Sequence, residues 1–387
     1  MTEAGETGPF MARALALARE VVGRTSPNPT VGTVVVKDGR IVGEGRYEGT
    51  GTPHAEVAAL EAAAESARGA TLYATLEPCC HQGRTPPCTD AILRAGIAEA
   101  RFSHLDPDAR ASGRGQAQLE DAGLRIVVGE GEAEARRINE AYLKQRTSGL
   151  PFVIAKFAAS LDGKIAAASG DARWVSGPQA RDWSHRLRAR VDAIAVGVNT
   201  VLVDDPQLTA RPDERLAERQ PLRVIIDSRG RTPRTAKALG CAQANLDGPP
   251  SAGSREGESR TLVATTDASP ADWRRQMEQA GARTAVLPAD GAGRVSLPAL
   301  LELLGKSEVL SLLVEGGGVL LGSFFDQRLV DKVHAVIAPV IIGGAAAPTA
   351  VAGQGVARMA DALRLQEVTI EHLGKDVLVT GYPSAVA

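Results

Sequence analysis

Four residues in the first quarter of the chain have types and a spacing that suit a catalytic metal. They are His54, Glu56, Cys79 and Cys88, found in the segments PHAEV (53–57) and EPCCHQGRTPPC (77–88). One imidazole and two thiolates hold Zn²⁺ and leave a fourth position for water, which is the open arrangement of catalytic zinc sites. Glu56 lies two residues after the histidine, so we expect it to move protons rather than to bind the metal.

Helix starts are the elements that bring these residues together. Side chains two apart on a helix do not face each other, so His54 and Glu56 reach one point only where a helix begins. The Ala/Glu-rich segment 54–68 predicts such a helix, ended by Gly69. Cys88 leads into a short predicted helix over 89–96, whose positive end favours a thiolate. We therefore expect the metal between two helix starts. Zn²⁺ lowers the pKa of its bound water to roughly 7, and this set of groups is typical of zinc deaminases that act on bases.

A structural zinc site is the alternative, but it needs a fourth protein ligand. Cys80 and His81 are the nearby candidates, and Cys80 directly follows Cys79, where two neighbouring side chains seldom bind one metal. The two cysteine ligands lie farther apart than in the short Cys-x-x-Cys of the deaminase signature. The loop 80–86 is therefore expected to lie beside the metal and to line a substrate pocket.

The remaining patterns predict two α/β domains. A helix over 9–22, a hairpin over 33–45 around Asp38-Gly39 and alternating strands and helices up to 128 predict a helix-covered, three-layer sheet. A charged helix over 132–149 places the boundary near residue 149, which gives domains 1–149 and 150–387. Strands are predicted in the second part, within 151–166 and at 193–196, 223–227, 261–265, 283–287, 310–314, 331–338 and 376–380. The Gly/Ser/Pro-rich segment 240–260 is predicted to be an exposed loop.

Composition excludes several classes of function. The net charge of −2 and the aromatic content of 3% disfavour a polynucleotide substrate. The chain has no run of 18 apolar residues, so we expect no membrane span. Its N-terminus is polar, so we expect no signal peptide. Four cysteines in 387 residues do not make a disulfide framework, so we expect reduced thiols and a cytoplasmic protein.

Three segments of the first half resemble the bifunctional deaminase/reductase family of riboflavin biosynthesis: 27–45, 54–60 and 75–88. The resemblance implies a cytidine-deaminase-like domain that removes the 2-amino group of 2,5-diamino-6-(5-phosphoribosylamino)pyrimidin-4-one. It also implies the ligands His54, Cys79 and Cys88, the proton shuttle Glu56, and the substrate contacts Asn28, His81 and Arg84. The family usually carries Ser where this chain has Cys80.

The second half resembles the reductase domain of the same family in four segments: 156–166, 169–177, 186–211 and 312–325. This implies a dihydrofolate-reductase-like fold, hydride transfer from NADPH to C1′ of the ring-opened ribosylamino group, and a homodimer. The implied substrate contacts are Lys156, Ala172, Arg188, Leu208, Arg211 and Glu315. The implied cofactor contacts are Ala158, Trp174, Thr200, Asp204, Ser228, Gly317, Gly318, Val319, Leu320, Leu321, Gly322 and Ser323.

Local sequence alone supports these second-domain contacts weakly. The glycines of EGGGVLLG (315–322) allow phosphate to approach a helix start, yet a glycine turn before a helix is more often only a turn. Three alternatives to the bifunctional enzyme stay open at this point. They are a deaminase with a degenerate reductase domain, a nucleic-acid-editing deaminase, and a zinc-stabilised regulatory module.

Overall fold

The computed structural model describes residues 7–83, 85–172, 174–240 and 260–384. The chain divides into two compact units, Met1–Gly149 and Leu150–Ala387. Most of the segment predicted as an exposed loop, residues 241–259, lies outside the described residues. Among the described residues, no helix is both long and apolar enough to cross a lipid bilayer.

The first unit is built on a five-stranded sheet with the strand order β2-β1-β3-β4-β5. Its strands are β1 (Gly32–Lys37), β2 (Arg40–Arg46), β3 (Thr71–Ala74), β4 (Glu99–Phe102) and β5 (Arg125–Val128). Its α-helices are α1 (Pro9–Glu20), α2 (Ala55–Ala63), α3 (Cys88–Ala95), α4 (Arg114–Asp121), α5 (Glu132–Ile138) and α6 (Glu140–Ser148). β1 is antiparallel to β2 and β3, whereas β3, β4 and β5 are parallel.

The alternation of side chains along β1 explains the three layers. Val34 and Val36 pack on one face with residues of α1, including Met11 and Leu15. Val35 points to the other face, where α2 contributes to a separate core cluster. Because successive strand residues face opposite sides, one apolar strand buries a helix on each face. The predicted helix-covered sheet is confirmed.

The hairpin β1–β2 packs closely against the start of α2. Asp38 and Gly39 have φ angles of 50° and 73°, as a tight two-residue hairpin turn requires. On β2, a Cβ added to Gly45 would lie 2.2 Å from the carbonyl oxygen of Ala55. Only glycine allows the first turn of α2 to approach the sheet this closely. His54 and Glu56, the residues on either side of Ala55, are thereby fixed relative to the sheet.

The predicted single helix over 132–149 is wrong, because Asn139 interrupts it between α5 and α6. The Asn139 side chain is buried and accepts a hydrogen bond from the Thr30 N–H at 2.8 Å. Its amide nitrogen donates to the Thr30 carbonyl at 2.9 Å. Helical periodicity alone does not reveal that this side chain serves a distant backbone.

The second unit contains a nine-stranded sheet with the order β10-β9-β8-β7-β11-β6-β12-β14-β13. Its strands are β6 (Phe152–Ser160), β7 (Ala193–Gly197), β8 (Leu222–Ile226), β9 (Thr261–Thr265), β10 (Arg283–Val286), β11 (Ser311–Val314), β12 (Lys332–Ala338), β13 (Leu365–Leu373) and β14 (Asp376–Pro383). Its α-helices are α7 (Pro178–Arg190), α8 (Val198–Asp204), α9 (Ala271–Gln279), α10 (Leu297–Lys306) and α11 (Gly318–Asp326).

The paired strands from β10 to β12 are parallel, and β14 and β13 add antiparallel at one edge. The predicted strands of this unit are confirmed, with ends that shift by a few residues. β13 was not predicted from the sequence. This edge strand is exposed along most of its length and carries mixed polar and apolar residues, so it lacks the apolar run that marks a buried strand.

A buried imidazole in the second unit predicts acid sensitivity. Burial, assisted by the charges of Lys332 and Lys156, lowers the pKa of His334 to about 3. The imidazole of the unfolded chain has a pKa of about 6.5. Between the folded and the unfolded pKa, the unfolded chain therefore binds a proton that the folded chain does not bind. The stability that depends on this residue is therefore complete above pH 6.5. It falls by about 1 kcal/mol per pH unit below that value.

We expect His334→Gln to flatten the pH dependence of unfolding of this unit between pH 5 and 6.5. The unfolding can be followed by tryptophan fluorescence in urea, because Trp174, Trp183 and Trp273 all lie in the second unit. The exposed His372 provides the control, and His372→Gln should leave the slope unchanged. An unchanged slope for His334→Gln would contradict this account.

Candidate active sites

The ligand atoms of His54, Cys79 and Cys88 lie within 4.8 Å of one another. Nδ1 of His54 is 3.5 Å from the sulfur of Cys79 and 3.3 Å from that of Cys88. The expectation that two helix starts flank the cluster is confirmed. His54 is the residue before α2, and Cys88 is the first residue of α3. One nitrogen and two sulfurs at this spacing are a donor set that fits Zn²⁺ with one open position.

Electrostatics within the cluster favour at least one thiolate. A hydrogen bond from the Cys88 thiol, together with one from His54, lowers the pKa of Cys79 to about 4 against the opposing effect of burial. The same hydrogen bond to Cys79, together with burial, raises the pKa of Cys88. The hydrogen bond to Cys79 also raises the pKa of His54. The cluster therefore holds at least one thiolate, the form of cysteine that binds a metal ion.

Glu56 is a buried carboxyl group at the edge of this cluster. Its residue is only 4% exposed, and its side chain hydrogen-bonds the Cys88 thiol. Burial, assisted by the negative Cys79, raises the pKa of Glu56 to about 7. A carboxyl group with a pKa near neutrality both accepts and returns a proton readily.

The described polar side chains of the loop between the two cysteine ligands lie in different surroundings. The sulfur of Cys80 lies 3.7 Å from the carbonyl oxygen of Arg110 and does not join the three ligands. Nδ1 of His81 is shielded from solvent without a hydrogen-bond partner among the described residues. The hydroxyl oxygen of Thr85 lies 3.3 Å from Nε2 of His54. Arg84, a predicted substrate contact, lies outside the described residues.

Two residues next to the ligands, one in space and one along the chain, were not predicted from the sequence. Tyr47 accepts a hydrogen bond from the side chain of Asn28 and places its ring 5.4 Å from that of His54. Glu77 is buried two residues before Cys79 and accepts hydrogen bonds from the N–H groups of Asp106, Gly113 and Gln116. A charged residue within the apolar strand end TLEP is the one sequence signal that points to Glu77.

The second unit contains a cavity of about 450 Å³ near the start of α11. Predicted cofactor residues line it: Thr200, Ser228, Gly317, Val319, Leu320 and Ser323. Gly316 has a φ of 109°, and an added Cβ would meet the Thr200 hydroxyl at 2.7 Å. The N–H of Gly317 donates to the same hydroxyl at 3.2 Å. The glycine turn thus packs closely against Thr200, and Gly317 places backbone at the wall of the cavity.

Other glycines of the same motif serve packing. A Cβ on Gly318 would lie 2.3 Å from the carbonyl oxygen of Thr349, and one on Gly322 would lie 2.0 Å from that of Ala352. Leu321 is fully buried in the core. These predicted cofactor residues do not line the cavity.

The loop after β8 adds positive charge to this cavity. The buried carboxylate of Asp227 accepts hydrogen bonds from the N–H groups of Gly230, Arg231 and Thr232 at 3.1, 2.6 and 2.7 Å. The loop that it fixes carries Arg229 and Arg231, which line the cavity. Arg231 also donates to Asn199 at 2.8 Å.

Lys156, Arg188 and Glu315 form a second cluster in this unit. Glu315 is buried and accepts hydrogen bonds from Nε and Nη2 of Arg188, the Nε contact being 3.2 Å. Burial alone would raise the pKa of Glu315, but Arg188 and Lys156 outweigh it and lower that pKa. Burial lowers the pKa of Lys156, which Glu315 partly restores. A lysine of lowered pKa beside a fixed ion pair is suited to proton donation.

The remaining predicted residues lie in varied surroundings. Trp174 is 71% exposed, and its ring lies 4.4 Å from the guanidinium carbon of Arg181. Arg211 donates to the Gln207 side chain at 2.7 Å, and its N–H lies 3.2 Å from Nδ1 of His185. Leu208 is buried with a φ of 55°. Three more do not line the cavity: Ala158, Ala172 and Asp204.

Each of the two units matches a known protein family. The family described as the RibD C-terminal domain matches residues 151–379, and the cytidine and deoxycytidylate deaminase zinc-binding region matches residues 6–104. The riboflavin biosynthesis protein RibD of Aquifex aeolicus is 39% identical over 372 residues, which are 96% of each chain. That of Escherichia coli is 39% identical over 380 residues, covering 95% of this chain and 97% of its own.

Solved structures give the same result. RibD of Acinetobacter baumannii superposes with a TM-score of 0.83 at 34% identity, covering 97% of this chain and 98% of its own. A diaminohydroxyphosphoribosylaminopyrimidine deaminase/5-amino-6-(5-phosphoribosylamino)uracil reductase of Thermotoga maritima has a TM-score of 0.80 at 33% identity, with the same coverage. The predicted fold class, a cytidine-deaminase-like domain followed by a dihydrofolate-reductase-like domain, is confirmed.

Proposed function

This chain belongs to the RibD family of riboflavin biosynthesis proteins, and we propose that its two units carry out consecutive reactions on one pyrimidine ribotide. The first unit would deaminate 2,5-diamino-6-(5-phosphoribosylamino)pyrimidin-4-one. The second would reduce the resulting 5-amino-6-(5-phosphoribosylamino)uracil to the ribitylamino product. The observation that carries the proposal is a His–Cys–Cys cluster with a buried carboxyl in one unit and a glycine-turn cavity in the other.

In the first unit, His54, Cys79 and Cys88 would hold Zn²⁺, which makes water a nucleophile at neutral pH. Glu56 would take one proton from the attacking water as its oxygen adds to C2 of the ring, and would pass that proton to a ring nitrogen. It would then take the second proton, from the hydroxyl group on C2, and pass it to the amine, which leaves as ammonia. The pKa of about 7 for Glu56 supports this alternating role.

In the second unit, the glycine turn, Thr200 and Ser228 would hold NADPH, which supplies the hydride. Lys156 protonates the reducing end of the ribosyl group as C1′ receives the hydride. Glu315 and Arg188 keep this ammonium group in place through their ion pair. Arg211 is assigned to the substrate phosphate. Arg188 was predicted as a substrate contact, but its bonds to Glu315 favour a positioning role instead.

Arg229 and Arg231 are suited to bind the 2′-phosphate that distinguishes NADPH from NADH, because a guanidinium binds phosphate through charge-assisted hydrogen bonds. We expect Arg231→Ala to reduce the preference of kcat/KM for NADPH over NADH by about 10-fold to 100-fold. Steady-state reduction of the deaminated ribotide with each cofactor measures this preference. Arg234→Ala is the matched control, since Arg234 is exposed on the same segment but does not line the cavity. A similar loss with both cofactors would show that Arg231 does not contact the 2′-phosphate.

The direct test of the proposed function uses the zinc-loaded protein with the diaminopyrimidine ribotide. Mass spectrometry without NADPH should show the uracil ribotide, and with NADPH it should show the ribitylamino product. Absence of ammonia release would refute the assignment of the first unit, and an unreduced ribosyl group with NADPH present would refute that of the second.

Two further expectations stay predictions of the family resemblance, namely a homodimer and a cytoplasmic location. Sedimentation of the purified protein would test the first expectation. No observation on the described residues favours a nucleic-acid-editing deaminase or a regulatory zinc module. The ordered Lys156–Arg188–Glu315 cluster argues against a degenerate second unit.

A further inference from the structure

We propose that Tyr47 and Asn28 form one donor–acceptor pair that recognises the lactam edge of the pyrimidinone, where a ring N–H adjoins a carbonyl group. This inference rests on the proposed deaminase function and names a specificity-determining residue, Tyr47, that the family resemblance did not supply. On this proposal, the pair determines which ring binds beside the three metal ligands.

The position of the Tyr47 phenol is the first observation. Its oxygen is 2.9 Å from Nδ2 of Asn28, and its ring meets the ring of His54 edge-on at 5.4 Å between centroids. The residue is 6% exposed, and it belongs to a small apolar cluster with Val31, Ala55 and Leu76. This apolar cluster fixes the ring, so the hydroxyl stays within hydrogen-bonding distance of Asn28 while the ring stays against that of His54.

The hydrogen-bonding capacity left over at this pair is the second observation. With Nδ2 of Asn28 donating to the phenol, the Asn28 carbonyl oxygen remains as an acceptor and the phenol O–H remains as a donor. If the amide is turned over, the phenol donates to Asn28, and one acceptor and one donor are again left. In either orientation the pair offers one donor beside one acceptor. A lactam presents the complementary N–H and C=O on adjacent ring atoms.

The backbone that carries Asn28 is braced against movement. The N–H of Asn28 donates to the Thr25 carbonyl at 2.9 Å, and the Thr25 hydroxyl donates to the Asn28 carbonyl at 3.2 Å. Arg146 donates to the carbonyl of Pro27 at 3.2 Å, and Asn139 holds Thr30 from the other side. A recognition pair held this firmly loses little conformational freedom when the substrate binds.

The test compares Tyr47→Phe with the zinc-loaded wild-type protein. This change removes only the hydroxyl, so ring packing and the metal ligands remain. We expect KM for deamination to rise about 10-fold to 100-fold with kcat changed far less, because the hydrogen bond lost is made to the substrate in the ground state as well. Zinc content and the reductase activity of the same preparation should be unchanged. Those two readouts separate loss of recognition from loss of structure.

Tyr73→Phe is the matched control, since Tyr73 lies on β3 with its ring 5.5 Å from that of Phe10, and its KM should equal that of the wild type. Asn28→Ala and the double variant complete a cycle. A pair that acts as a unit predicts that the double variant is little worse than either single variant. A wild-type KM for Tyr47→Phe, fully additive losses, or a loss of zinc would each overturn the inference. If the wild-type protein itself releases no ammonia, the proposed function fails instead.

Discussion

Replacing Glu56 by glutamine should lower the rate of ammonia release by about 10²-fold to 10⁴-fold while zinc stays bound. Glutamine keeps the size and the hydrogen-bonding shape of the side chain, but it cannot accept and return a proton. Glu56 is not one of the three grouped ligands. The metal content should therefore equal that of the wild-type protein when measured by elemental analysis.

Glu61→Gln provides the matched control for this change. Glu61 lies on the same helix, α2, but is exposed, so its replacement should leave both activities unchanged. The reductase activity of Glu56→Gln, assayed with the deaminated ribotide, should also be unchanged. A Glu56→Gln protein that has lost its zinc would mean that Glu56 is a ligand. One that deaminates normally would mean that another group carries the protons.

Replacing Lys156 by methionine should lower the reductase rate by about 10²-fold to 10⁴-fold and leave deamination intact. Methionine is similar in length and apolar, so the partly buried site keeps its packing while the proton donor is removed. Glu315 retains its ion pair with Arg188, so the change leaves no buried carboxylate unpaired. NADPH oxidation with the deaminated ribotide measures the effect.

Lys156→Arg separates charge from proton donation. Arginine restores a cation beside Glu315 but does not release a proton at physiological pH. We expect the KM for the ribotide to recover toward the wild-type value while kcat remains low. Lys306→Met, an exposed lysine at the end of α10, is the control and should behave as the wild type. Full recovery of kcat in Lys156→Arg would assign Lys156 an electrostatic role only.

Much of the metal site could be predicted from the sequence because its chemistry depends on neighbours along the chain. The Pro-His-Ala-Glu order fixes a helix start, and Cys88 follows two prolines at another helix start. Strand periodicity predicted β1 and β2 because the turn residues Asp38 and Gly39 mark the hairpin. These signals are local, and local signals survive in a single sequence.

The residues that were missed act across long separations. Tyr47 belongs to the site only because β2 ends beside the loop of Asn28, and nothing in its own segment indicates this. Asn139 divides a predicted helix because its amide is bonded to Thr30, which lies 109 positions earlier in the chain. Arg231 lines the cavity near the start of α11 because Asp227 holds the backbone of the intervening loop. The fold brings these partners together, and no spacing rule predicts them.

The central claim, that one chain performs two consecutive reactions on one molecule, is tested most directly by stoichiometry. Zinc-loaded protein, the diaminopyrimidine ribotide and excess NADPH should release one ammonia for each NADPH oxidised. With Glu56→Gln in place of the wild-type protein, the diaminopyrimidine ribotide should cause neither reaction. NADPH oxidation without ammonia release, or ammonia release with no NADPH oxidation, would contradict the account.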